Sequence, residues 1–481
     1  MEITTPQFKQ NVTGALADRQ LQRALSHVRG NFVGKRAAAA AALPEFEALR
    51  DEARNIKNHV LENLDIYLET FEKNVTRQGG KVHWAATASE ARGHILDICR
   101  KVGARSATKG KSMISEEIGL NAFLEESGIR PVETDLGEYI IQLRGERPSH
   151  IIAPAVHVNA DQVREDFRRV HTHLPPERPL EEPESLLAEA RAILRDQFLS
   201  SDVGITGANF LVAETGTSVI VTNEGNGDLT QILPRVHIVI ASLEKIVPTL
   251  EDMSQILRVL ARSATGQEMS VYTTLSSGPK RKGDPDGPDE FHVVLLDNGR
   301  SDMIGTEFQD MLRCIRCGAC MNHCPVYQAV GGHAYGWVYP GPMGSVLTPQ
   351  FIGVEKGGNL PNASTFCGRC EEVCPMRIPL PKMMRHWREK EFERHLSPPA
   401  HRRNLKAWAW LAKRPGLYRL FTRLAARGLW VLGGAKRRTG FLPMAGAWTR
   451  HRDMPTPEGG TFLAQWKAGR HRTGQGTGGA S

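Results

Sequence analysis

The chain has 481 residues, 40% of them hydrophobic, and a formal charge of +8. That length exceeds what a single hydrophobic core organises and predicts two or three domains. No apolar run approaches the roughly 18 residues that span a bilayer, so a soluble or peripheral protein is expected. The charge is unevenly divided: residues 396–452 hold 13 Lys and Arg with no Asp or Glu, and the remainder carries −5.

In chain order, the opening MEITTPQFKQ lacks a charged segment followed by an apolar one, which predicts a cytoplasmic chain with reduced thiols. Four regions are expected: a helical segment over 1–78, an α/β domain over 79–300, a cysteine-rich domain over 301–390 and a basic region over 391–481. Apolar residues at three- and four-residue spacing, including Val60, Leu61, Leu64, Leu68 and Phe71, predict helix over much of 32–75. Strands are expected over 80–84, 105–109 and 129–133, alternating with helices over 89–102 and 115–127. Ser115 is the candidate cap of the second helix, although Ile118 occupies the position where a capping box needs Glu or Gln. A helix over 186–198 and the β-branched runs 209–214, 218–222, 237–240 and 291–296 complete an α/β pattern with a buried sheet. A helix over 302–312 should lead into the cysteines.

Several motifs in this region carry less specific chemistry. Lys109-Gly110-Lys111-Ser112 imitates the end of a phosphate loop, but Arg105 stands where the first glycine belongs, so a strand-to-helix turn is expected. Glu214, Thr215, Gly216 and Thr217, with Asn223, Glu224, Gly225 and Asn226, bracket apolar strands and read either as tight turns or as a substrate pocket. In a pocket, Glu214 would be the acid or base, and Thr215, Thr217 and Asn223 the anchors. His94, His150 and His157 lack metal-motif spacing and are expected to be structural.

Seven of the eight cysteines fall in two runs. Cys314, Cys317, Cys320 and Cys324 have the C-x2-C-x2-C-x3-C-P spacing of bacterial ferredoxins, in which three thiolates hold one [4Fe-4S] cluster and the fourth crosses to another. Cys367, Cys370 and Cys374 repeat the last three positions, and Ser364 stands at the first. The crossing rule assigns Cys314, Cys317, Cys320 and Cys374 to one cluster and leaves Cys324, Cys367 and Cys370 for the other. That second centre is open, three-iron ([3Fe-4S]) or ligated from elsewhere, Cys99 being the only spare thiol. A zinc ribbon is the structural alternative, but two C-x3-C-P endings have no use in one. The aromatic and glycine-rich GGHAYGWVYPGPMG between the runs is expected to be irregular and to cover the clusters. The only G-x-G-x-x-G spacing, at Gly474, Gly476 and Gly479, follows no strand and argues against a Rossmann-bound flavin or nicotinamide.

The segments GKSMISEEIGLN, GIRPVETDLGEYIIQL and GANFLVAETGTSVIVTNEGN, followed by the cysteine runs and PTPEGGTFLAQW, make the chain resemble the lactate-utilisation protein B family. The resemblance implies an α/β domain of the sugar-phosphate isomerase and CoA-transferase-like type, a ferredoxin-like two-cluster domain and a basic C-terminal extension. It also implies a subunit of a cytoplasmic complex that oxidises L-lactate to pyruvate beside two other lactate-utilisation proteins, with electrons leaving toward a respiratory acceptor. Two functions remain open: an electron-transfer subunit, or an α/β domain that itself binds an organic acid or acyl compound and uses the clusters as its outlet.

The basic tail interleaves cations with Trp408, Trp410, Leu420, Phe421, Leu424 and Trp430 at helical spacing, broken at Pro415-Gly416. Docking to a partner is the first expectation and contact with a membrane surface the second. Nucleic acid is not expected, since no binding module accompanies the charge.

Overall fold

The structure, a computed structural model, describes residues 3–442, 446–449 and 452–469. The expected disordered end, with Gly474, Gly476 and Gly479, lies outside the described residues. Two compact units result, Met1–Glu391 and Phe392–Ser481.

In the first unit ten strands run in chain order: β1 (Lys81–Ala85), β2 (Ser106–Lys109), β3 (Arg130–Glu133), β4 (Val203–Gly207), β5 (Phe210–Val212), β6 (Thr217–Thr222), β7 (Val236–Ser242), β8 (Ile246–Val247), β9 (Tyr272–Ser276) and β10 (Glu290–Leu296). Six of them form an all-parallel sheet in the order β1-β10-β7-β4-β2-β3. Every residue of β7 is buried, as a central parallel strand covered on both faces requires. On one face the helix Ala88–Lys101 packs Ile95, Ile98 and Cys99 with Ile205, Ile238 and Val294. On the other, Val60, Leu68 and Phe71 of the helices Phe46–Glu62 and Leu64–Arg77 meet Val239, Val293 and Leu295. The N-terminal helices therefore form one layer of a helix–sheet–helix sandwich. The remaining strands make a smaller mixed sheet, β8-β5-β6-β9.

Four local expectations need correction. Ser112, not Ser115, caps the helix after β2: its hydroxyl oxygen accepts from the Ser115 amide at 3.3 Å, while the Ser115 hydroxyl accepts from the buried Lys109 ammonium at 2.8 Å. The expected single helix over 115–127 is two, Met113–Glu117 and Leu120–Glu126, parted at Gly119, whose φ of 64° lies in the left-handed region that glycine tolerates. The expected helix over 302–312 is two short 3-10 turns, Ser301–Met303 and Gln309–Arg313. The Gly/Pro run is not irregular throughout either: the helix Gly341–Ile352 starts inside it, with Pro342 in the first turn, where proline's missing N–H costs nothing.

In the second unit the helices Pro399–Ala412 and Pro415–Gly433 each begin on a proline. The first has no buried residue and the second only Ala426 and Gly433. Trp408, Trp410, Phe421 and Leu424 are all more than half exposed. Among the described residues no helix is long and apolar enough to cross a membrane.

Candidate functional site

The two cysteine runs fold into one backbone path, used twice. Cys314 and Ser364 have φ/ψ of −66°/118° and −65°/135°. Each of their amides donates to the carbonyl three residues back, Met311 at 3.1 Å and Pro361 at 3.3 Å. Arg316 and Phe366 then take positive φ, 60° and 54°, followed by Gly318 and Gly368 at 73° and 80°. Positive φ in a residue with a Cβ costs on the order of 1 kcal/mol or more, so both loops are held in this path by their surroundings. The short helices Ala319–Asn322 and Arg369–Glu372 carry Cys320 and Cys370, and Cys324 and Cys374 close the loops.

The thiols fall into two groups. Cys314, Cys317, Cys320 and Cys374 line a cavity of about 340 Å³, walled by Met311, Met343, Met376 and Ile378. Cys324, Cys367 and Cys370 line another of about 410 Å³, with Ser364 on its wall beside Tyr335 and Phe366. Tyr335 and Met343 come from the segment between the two runs, so that segment contributes to both cavities. Burial and the neighbouring thiols of Cys374 and Cys314 push Cys317 up to about 12; burial with Cys324 and Cys367 does the same to Cys370. Thiols crowded like this stay protonated alone, whereas a bound metal centre deprotonates them outright. Backbone N–H groups of Ala319, of Val326 and Tyr327, and of Met376 and Ile378 point at the sulfurs of Cys317, Cys324 and Cys374 respectively. Such donors stabilise sulfur-borne negative charge. The donor set therefore fits iron–sulfur clusters.

Cations surround the first cavity. Arg50 and Lys57 sit on the buried face of Phe46–Glu62, in register with Leu49, Ala53, Ile56 and Val60. Arg50 donates to the Cys374 carbonyl at 2.7 Å and to the Glu372 carbonyl at 2.7 Å. Arg36 reaches the Val373 carbonyl at 2.8 Å, and Lys57 donates to the carbonyls of Glu244 and Ile246. Arg300 is 2% exposed and pairs with Glu117 at 2.7 Å and Glu244 at 3.1 Å, while Arg316 pairs with Glu244 at 3.4 Å. Burial works against the Glu244 carboxylate, but Arg300 and Arg316 hold it down at about 2. Buried cations outnumber buried carboxylates here, which suits an anionic group between them. Sequence reasoning missed Arg50 and Lys57; the available signal was two cations at seven-residue spacing on an otherwise apolar helical stripe.

Cys99 lines neither cavity. It is fully buried among Ile95, Ile98 and Val236 on the sheet, and burial pushes its thiol up to about 12. The expectation that it could complete the second group is thereby withdrawn.

The candidate polar residues of the α/β domain divide between two places. Glu214 accepts from the Leu250 amide at 2.7 Å and Thr217 bonds Ser277 at 2.8 Å, while Asn74 and Gln78 tie down the carbonyls of Ala213, Glu214 and Thr215. This is the tight turn: Gly216 has φ 67°, and a Cβ there would lie 2.5 Å from the Val75 amide nitrogen. Glu214, Thr215 and Thr217 line none of the three cavities described, and their geometry is that of the turn. Asn223, Glu224 and Asn226 follow the opposite end of β6, roughly 17 Å away at strand rise, and line a third cavity. Gly110, Lys111 and Ser112 line it too, whereas Lys109 is buried against Glu133 at 2.7 Å.

His150 accepts backbone N–H bonds from Ile152 and Ala153 on Nδ1, so Nε2 donates to Asn322 at 2.8 Å; burial lowers its pKa to about 4. His94 bonds the Trp84 carbonyl at 3.1 Å. His157 lies between Ser149 and Glu146, each at 2.7 Å.

Comparison with known proteins accords with this geometry. The LUD domain matches residues 68–296, a 4Fe-4S dicluster domain residues 310–378, and the C-terminal domain of lactate utilisation protein B residues 376–471. Lactate utilization protein B of Lysinibacillus sphaericus is 42% identical, covering 98% of both chains. The chain belongs to the lactate utilisation protein B family. The Bacillus subtilis member is also 42% identical over 98% of each chain. An Escherichia coli relative, 40% identical over 97% of this chain and 98% of its own, is described as the uncharacterized electron transport protein YkgF. This chain thus joins an α/β LUD domain to an iron–sulfur dicluster domain.

Proposed function

We propose that this chain is the electron-transfer subunit of a cytoplasmic complex oxidising L-lactate to pyruvate, working beside two other lactate-utilisation proteins and delivering electrons to a respiratory acceptor. The observation that carries the reading is the sorting of seven thiols into two cavities, six of the thiols lying in or against one apolar core and Cys367 at its exposed rim. Cys314, Cys317, Cys320 and Cys374 would hold a [4Fe-4S] cluster, and Cys324, Cys367 and Cys370 a second with Ser364 at the vacant corner. When bound, each cluster takes up and releases one electron at a time. The chain's own part is to exclude water with Met311, Met343 and Met376 and to offset negative charge with Arg36, Arg50 and Lys57. The names of the relatives support both lactate and electron transport. The six-stranded parallel sheet supports a sugar-phosphate isomerase or CoA-transferase-like class for the α/β domain.

The test is anaerobic addition of L-lactate to the purified chain, alone and with both partners, while visible absorbance follows reduction. Reduction only in the presence of partners is expected; no reduction in the reconstituted mixture refutes the relay.

The exposed apolar and cationic faces of Pro399–Ala412 and Pro415–Gly433 are assigned to docking on a partner. Deleting residues 392–481 should leave the visible spectrum intact and weaken partner binding. Binding through the intact tail should fall as salt rises, since exposed charges are screened over about 8 Å at physiological ionic strength. Unchanged partner affinity after deletion contradicts the assignment.

A further inference from the structure

The third cavity lies at the carboxyl ends of β2, β4 and β7, where open α/β sheets collect ligands. It measures about 1390 Å³ including its mouth, and its wall runs from Lys111 and Asn226 on the α/β side to Arg316 and Cys317 of the first cysteine loop. Cys317 also lines the first thiol cavity, so the two spaces share that residue.

Its polar groups are unusual in what they lack. Arg316 is held by Glu244 through Nη2 and lies over the Tyr339 ring at 5.0 Å, yet its buried Nη1 has no hydrogen-bond partner among the described residues. Lys245, 7% exposed, forms no ion pair among the described residues, and its adjacent carboxylate, Glu244, is already engaged by Arg300 and Arg316. On the same wall the Oδ1 of Asn226, itself 9% exposed, is also buried without a partner among the described residues. Leaving a buried donor or acceptor unpartnered is costly, so the Arg316 nitrogen and the Asn226 oxygen, with Lys245 on the same wall, outline a ligand. Lys245 and Arg316 share one carboxylate, Glu244, which Arg300 also engages, and so call for a further anion, a carboxylate or phosphate; an unpartnered carbonyl oxygen calls for a hydroxyl. Asp135 and Glu224 on the same wall oppose a multiply charged anion, and Ile220, Ile240 and Leu260 require carbon.

We propose that this cavity binds a small hydroxycarboxylate, its carboxylate between Lys245 and Arg316, its hydroxyl donating to Asn226 and its carbon chain against Ile220, Ile240 and Leu260. The chain would then hold an organic acid beside Cys317 as well as carry electrons. The proposal deepens the reading above and rests on it only for the cluster on the other side of Cys317; binding itself needs none.

The test is calorimetric titration of the anaerobically purified full chain with L-lactate, propionate and inorganic phosphate, with iron content and visible spectrum recorded on the same samples. L-lactate should bind, propionate at least about tenfold more weakly, and phosphate not measurably. Lys245→Gln should weaken L-lactate at least about tenfold with the spectrum unchanged. Asn226→Ala, a milder change, should remove the preference for L-lactate over propionate. Absence of L-lactate binding, equal or tighter phosphate binding, or an unaltered preference in Asn226→Ala overturns the proposal. Loss of iron from the wild-type chain would instead refute the cluster reading and leave the titration to judge the cavity.

Discussion

Cys320→Ala is expected to strip about four of about eight irons from the purified chain and to abolish lactate-driven reduction in the reconstituted complex. Cys320 is buried, and its thiol faces those of Cys314, Cys317 and Cys374. A cubane without one of four thiolates there has no replacement ligand, because Met311, Met343 and Met376 supply only weak thioether sulfur. The group around Cys324, Cys367 and Cys370 uses none of the lost atoms, so its spectrum should persist and serve as the control for folding. Retention of full iron by the variant would contradict the grouping.

The second large effect is one of stability. Arg300 is nearly inaccessible, paired with Glu117 and Glu244, and its guanidinium lies 4.9 Å from the centre of the Phe351 ring. Glu117 and Glu244 come from the α/β domain and Phe351 from the segment between the cysteine runs, so one side chain joins the two. Arg300→Met should lower stability by about 3–5 kcal/mol, because it leaves buried carboxylates short of a cation. Chemical denaturation at neutral pH measures this. The wild-type contribution of Glu244 is present above the usual carboxylate range and is lost as pH falls toward about 2, since its folded pKa is depressed. In the variant the Glu244 pKa rises, so the deficit should shrink as pH falls through the range where that carboxyl takes up its proton. A deficit that is small at neutral pH, or that grows as pH falls through the carboxylate range, would contradict this account.

What the sequence revealed and what it hid follow from distance along the chain. The cysteine loops were legible because their ligands lie within eleven residues in each run, and Ser364 could be matched to Cys314 by counting; the backbone angles agree to within about 20°. The buried sheet was legible because its strands cluster β-branched residues, as Val236, Ile238, Val239 and Ile240 do in β7. The charge network was not. Arg300 meets Glu117 across 183 positions and Arg50 meets Cys374 across 324, and nothing local marks such pairs beyond a cation in an apolar stripe. The pocket residues were half legible. Asn223, Glu224 and Asn226 do line a cavity, but Glu214, Thr215 and Thr217 were grouped with them, because periodicity does not say that the two ends of β6 serve opposite edges of its sheet. The helix after β2 was misread at Ser115, because Ser112, three residues earlier, already accepts the Ser115 amide as the cap.

The most direct test of the central claim, two clusters of unequal ligation, is electron spin resonance of the anaerobically purified chain before and after mild oxidation, run beside Ser364→Cys. Oxidation of the wild-type chain should release one iron from the centre at Cys324, Cys367 and Cys370 and give a [3Fe-4S] signal, with the other cluster intact; Ser364→Cys should suppress that signal. Stoichiometric zinc without acid-labile sulfide would contradict the account, as would two clusters that resist oxidation equally in both proteins.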